Sequence, residues 1–147
     1  MAETLADLIA RGRIEAVAHD ETAARAELDQ AQANIASAAG NLPETNPGLA
    51  YAAVYDATRL AISAHMRANG YRVTGGPGTH VKFAEYATVA FGGRAVDDHL
   101  ARFNRMRQTR NRLECGAGRV GSAAVRADLE HARAVVEAIT ADLERRS

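Results

Sequence analysis

Five arginines crowd one short stretch, Leu100 to Cys115 (LARFNRMRQTRNRLEC), with no acid among them before Glu114. They are Arg102, Arg105, Arg107, Arg110 and Arg112. A guanidinium presents a flat fork of donors that matches the oxygens of phosphate or carboxylate, so the chemistry such a segment offers is anion recognition. At helical spacing Leu100, Phe103, Met106 and Leu113 define one apolar arc. Arg102, Arg105 and Arg112 fall outside that arc, on the side expected to face solvent. Arg110 falls near its middle, with Arg107 and Glu114 close by and Asn111 just beyond the edge. A guanidinium on a packing face is costly unless it is paired or opens into a wet cleft. Two readings follow. Arg110 is a clamp, paired with Glu114 four residues on or with Asp56 across the bundle, or it is a cleft arginine aimed at phosphate.

The other reactive residue types are sparse. His19, His65, His80, His99 and His131 never pair at three or four residues, and the single cysteine, Cys115, allows neither an internal disulfide nor a cysteine-based zinc site. No metal or cofactor is expected. The glycine-rich turn at 75–78 (GGPG) lacks the preceding strand and the GK[ST] ending of a phosphate loop, and reads as a helix–helix connector. His80, at the start of a helix beside that turn, is the histidine best placed to act. An exposed or capping role is its simpler explanation. Cys115 reads as a small packing residue.

The elements that must position these groups are helices. From Ile14, steps of three and four run through Val17, Glu21, Ala24, Leu28, Ala31, Ile35, Ala38 and Leu42, apolar but for Glu21, and the spacing returns in Val125, Leu129, Ala132, Val136, Ile139 and Leu143. Leu5, Leu8 and Ile9 predict a short helix ended near Gly12. Residues 40–48 (GNLPETNPG) read as a loop, with Asn46 capping a helix whose first residue is Pro47. That helix, through Asn69, is apolar on two sides: Ala53, Ala57, Leu60 and Ala64 on one, Tyr51, Tyr55, Ile62 and Met66 on the other. A helix of this kind sits centrally in a bundle or serves both core and oligomer interface. After a break at 70–79, a helix is predicted from His80 to Phe91 with Thr79 as cap. Another runs from Asp97 and Asp98 to about Cys115, and a last one is capped by Ser122. No strand is predicted. The expected fold is all-α: one domain over residues 1–147, an up-and-down four-helix bundle with an additional short helix.

Composition fits this reading. Alanine fills 33 of 147 positions, aromatics are 5%, and tryptophan is absent, which suits closely packed helices. Basic and acidic residues number 18 each, so any nucleic-acid surface must be a local patch within a neutral total. No stretch approaches the roughly 20 apolar residues of a membrane helix, and the first residues, MAETLADLIARGR, lack a secretory pattern. A cytoplasmic protein with no membrane partner is expected.

The pattern AYAAVYDATRLAISAHMRANGYRVTGGPGTH at 50–80, followed by RMRQTRNRLEC at 105–115, resembles the HEPN superfamily, small all-helical bundles that are often dimeric. The resemblance spans roughly residues 10–145. It implies a homodimer whose two R-x4–6-H motifs face one cleft and cut RNA without metal, often as the toxin of a toxin–antitoxin or defence pair with a minimal nucleotidyltransferase. Arg110 matches the motif arginine and Asn111 the polar residue that follows it. Arg102, Arg105, Arg107 and Arg112 would then contact RNA. The motif histidine has no counterpart, because positions 115–117 are Cys, Gly and Ala. RNA cleavage needs groups that move protons, and neither arginine nor asparagine does this well, so catalysis would require His80 to reach the Arg110 cleft. The alternatives are a non-catalytic helical module that binds a partner protein or nucleotide, and a purely structural dimer.

Overall fold

In the computed structural model, which describes residues 2–146, the chain is mostly helical. The first helix, α1 (Leu5–Ala10), opens with Thr4 and Asp7 exchanging side-chain-to-backbone hydrogen bonds as a capping box. Helix α2 (Glu21–Ala39), capped by Asp20, packs along the longer α4 (Pro47–Asn69). The contact is close because Ala24, Ala31 and Ala38 of α2 and Ala50, Ala57, Ala61, Ala64 and Ala68 of α4 are all buried small residues. Helix α8 (Ser122–Glu144) lies against both, and Val125, Leu129, Ala132, Val136, Ile139 and Leu143 are all buried as their spacing requires. Among the described residues, no helix is long and apolar enough to cross a membrane.

Helix α4 is the centre. It touches α2, α8 and two shorter helices, α5 (Thr79–Phe91) and α7 (Phe103–Glu114). Asn46 caps it, accepting from the Leu49 amide, and Pro47 occupies its first turn. Gly70 ends it in the left-handed region, where a Cβ would collide with His19 and the Val17 carbonyl.

Four local expectations are corrected. Residues Ile14–Ala16 (β1) and Tyr71–Val73 (β2) form a small antiparallel pair in the register Ile14↔Val73, Glu15↔Arg72 and Ala16↔Tyr71, so the all-helical reading missed a strand pair. Three-residue strands are too short to show alternation, and Ile14 and Val17 happen to extend the helical spacing of α2, which starts only at Glu21. The 40–48 segment contains a helical turn, α3 (Leu42–Thr45). The helix expected over 97–115 is two, α6 (Asp97–Leu100) and α7, joined at Ala101–Arg102. The fourth long rod of an ideal bundle is therefore broken, and Leu100 and Phe103 are both buried on either side of the junction. Finally, neither Thr79 nor Ser122 caps a helix. Gly78 and Gly121 hold those positions, and the Thr79 hydroxyl instead donates to the Gly76 carbonyl.

Several polar groups inside the bundle are paired. The phenol of Tyr51 donates to Asp128 at 2.5 Å, and Arg102 donates to the other carboxylate oxygen at 2.8 Å. Arg102 is thus an α7-to-α8 tie, contrary to its expected solvent-facing role. His65, in α4, lies between the Tyr86 hydroxyl (2.8 Å) and Asp142 (2.9 Å). Burial lowers its pKa despite the carboxylate, and burial raises that of Tyr86, so a neutral imidazole accepts from the phenol and donates to Asp142. Arg94 and Arg145 hold Asp142 well below the usual carboxylate range. The chain's one lysine, Lys82, is buried and donates to the Thr74 and Gly75 carbonyls. It fixes the glycine-rich turn by its oxygens.

Asp128→Ala leaves the Tyr51 hydroxyl and Arg102 without their shared acceptor. It should cost about 2–4 kcal/mol in urea unfolding, below a fully buried pair because Arg102 remains a third exposed. A loss under about 1 kcal/mol would show that the tie contributes little.

Candidate anion site around Tyr55

Tyr55 projects from α4 with its ring fully buried, stacked on Phe103 of α7 at a centroid distance of 5.2 Å. A buried phenol needs a partner for its hydroxyl, and His80 supplies it: Tyr55 Oη and His80 Nδ1 are 2.6 Å apart. Position 80 opens α5 directly after the glycine-rich turn, so the turn that Lys82 pins also sets the histidine. The guanidinium of Arg110, from α7, covers the Tyr55 ring at 5.3 Å from its centroid. His80 and Arg110, 30 residues apart in the chain, thus converge on one tyrosine, the histidine at its hydroxyl and the guanidinium over its ring.

The carboxylates nearby are both on the arginines' own helices. Arg110 Nη1 pairs with Glu114 at 3.1 Å, and Glu114 is 57% exposed. Asp56 does not pair with Arg110; it lies 3.7 Å from Arg59 in α4. Arg110 Nε is buried and has no hydrogen-bond partner among the described residues. The fully buried clamp is therefore not what the chain builds. Arg110 sits at the edge, one face on Tyr55 and one nitrogen on a solvated carboxylate.

Electrostatics keep His80 neutral. Desolvation lowers its pKa, and the cations of Arg59 and Arg110 lower it further, against a smaller opposing pull from Asp56 and Glu114. Burial pushes the Tyr55 phenol up to about 12, so it keeps its proton. When Nδ1–H donates to Tyr55 Oη, Nε2 is free to take a proton. In the imidazolium that results, Nδ1–H still donates to the same hydroxyl, so one contact holds the ring both as base and as acid.

The remaining arginines of α7 are spread around the helix. Arg107 is half-buried, donates twice to Asn104 and acts on Tyr55 electrostatically. Arg112 is exposed and reaches Thr109. Arg105 and Asn111 are exposed, Asn111 directly after Arg110. Cys115 is also exposed, as the residue that ends α7, so its expected packing role is wrong: the helix stops before the residue can turn inward.

Sequence reasoning missed Tyr55 and Arg59 as site residues, and Tyr51, Asp128 and Asp142 as their structural counterparts. The signal was the tyrosine hydroxyl on a face assigned to core, which must end on something polar. It also missed that His99 and His131, from α6 and α8, face each other with their Nδ1 atoms 3.0 Å apart. Among the described residues no group of three or more His, Cys, Asp or Glu side chains is arranged to hold a metal ion. Comparisons of the chain with protein-family models, with curated proteins and with solved structures return no match.

An exposed i,i+4 pair contributes a few tenths of a kcal/mol, and a cation over a tyrosine about 0.5–1. Arg110→Ala should therefore lower folding stability by no more than about 1.5 kcal/mol in urea unfolding. A loss of about 3 kcal/mol or more would restore the buried clamp.

Proposed function

We propose that the face formed by Arg110, His80 and Tyr55 binds the phosphodiester of RNA and cleaves it without a metal ion, in a HEPN-like, dimeric, toxin-type protein of the cytoplasm. The observation that carries this reading is the convergence of His80 and Arg110 on Tyr55, which offers a proton-transfer group where the motif histidine is missing. In the step itself, His80 Nε2 takes the proton of the ribose 2′-hydroxyl. The 2′-oxygen attacks phosphorus, and the bond from phosphorus to the 5′-oxygen breaks. The imidazolium returns the proton to that leaving oxygen, giving a 2′,3′-cyclic phosphate and a 5′-hydroxyl. Arg110 stabilises charge on the non-bridging oxygens, and Arg59 and Arg107 add to the local positive field. Tyr55 is a positioning residue, accepting from Nδ1–H in both the neutral and the protonated ring.

A second reading has a specific observation behind it. Glu114 already engages Arg110, and Asp56 lies beside Arg59, so a phosphate must compete with two carboxylates. On that reading the chain is a non-catalytic module and its basic face docks a partner, such as a nucleotidyltransferase-type antitoxin.

Purified protein incubated with a mixed RNA pool in EDTA separates the two. Cleavage is expected, yielding cyclic-phosphate ends, with His80→Ala slower by about 10²–10⁴-fold and Arg110→Ala also impaired while both remain folded. No cleavage by folded wild type would favour the docking module. Full activity in His80→Ala would remove the histidine from the mechanism.

A further inference from the structure

The seven aromatic residues decide how a nucleic acid can be read. Tyr51, Tyr55, Tyr86, Phe83, Phe91 and Phe103 are all buried, and there is no tryptophan. The seventh, Tyr71, lies on β2, partly buried against the core with its ring beside Tyr86. Unpaired bases are usually held by stacking on exposed aromatic rings, and around Arg110 and His80 no such ring is offered. The aromatic nearest the site, Tyr55, is sealed between Phe103 and the Arg110 guanidinium. Arg110 itself spends one face of its plane on that ring.

Hydrogen-bonding groups that could read base edges are equally few. Asn104 is occupied by Arg107 through two bonds. Gln108 and Asn111 are exposed amides that carry both donor and acceptor and can turn to suit any base edge. Charge remains: Arg59, Arg107 and Arg110 around Tyr55, with Arg105 and Arg112 exposed farther round α7.

Resting on the RNA-directed reading above, we infer that this face recognises the sugar–phosphate backbone by charge alone, so that its ligand class is nucleic acid of any base sequence. The 2′-hydroxyl enters only in the chemical step. DNA therefore binds as RNA does and acts as an uncleaved competitor. Binding by three to five phosphate contacts falls with salt at a log–log slope of about −2 to −3.5, the value for that many contacts on single strands.

The test is fluorescence anisotropy of the folded His80→Ala protein, which should bind without appreciable cleavage, with labelled oligo(U), oligo(A), oligo(C) and oligo(dT) of equal length, in EDTA, at salt from about 50 to 200 mM. All four should bind with dissociation constants within about fivefold of one another, no more than the weakest base-edge contact would discriminate. Arg110→Ala should weaken all four alike and reduce the salt slope by roughly one contact. A tenfold or greater preference for one base, or for RNA over DNA, would overturn backbone-only recognition and leave the RNA reading standing. Binding that barely changes with salt would overturn it too. Absence of binding to every oligonucleotide by the folded protein would instead overturn the RNA reading on which the inference rests.

Discussion

A helix buried on almost every side must find a partner for each polar group it carries, because nothing inside the bundle replaces the lost water. Helix α4 is that helix. Its tyrosines at 51 and 55 sit one turn apart, and each sends a hydroxyl to a different neighbour: Tyr51 to Asp128 on α8, Tyr55 to His80 at the head of α5. A third polar group, His65, ends on Tyr86 and Asp142. The short helices α5 and α7 are small elements with modest apolar faces, and these bonds, with Phe103 stacked on Tyr55, fix where they dock. The site is a consequence of satisfying the core.

That origin explains its character. Tyr55 is rigid because it is core, and it therefore holds His80 and Arg110 in a set relation although neither is buried to the same degree. The alanine-rich seam between α2 and α4 leaves the opposite side of α4 free for the aromatic and polar contacts. The basic character of the face is local, as a chain of zero net charge requires. Two carboxylates, Asp56 and Glu114, temper it, the first partly and the second more fully exposed to solvent.

Much of the scaffold was legible from spacing. The stripes of α2 and α8, the two apolar sides of α4, and the Asn46–Pro47 start are dictated by local rules that the packing then obeys. The strand pair was not legible, because three residues cannot display a period and their pairing is long-range. Nor was the break at Ala101–Arg102, where Arg102 turns to Asp128 on α8, a contact no local spacing shows. Arg110 was legible as a charge on an apolar arc, but its partner was not: Glu114 and Asp56 were both available, and only the fold selects Glu114. His80 could be singled out by position, while its contact with Tyr55 depends on the tertiary placement of the turn at 75–78. The HEPN resemblance concerns short motifs in order, and it stands as a proposal.

The central claim is that His80 and Arg110 form one electrostatic site through Tyr55. It is tested most directly by the pKa of the His80 imidazole, followed by NMR through a pH titration of wild type and Arg110→Ala. Because the guanidinium disfavours the imidazolium, removing it should raise the His80 pKa. An unchanged His80 titration in a folded Arg110→Ala protein would mean that the two residues do not sense each other, and would contradict the account.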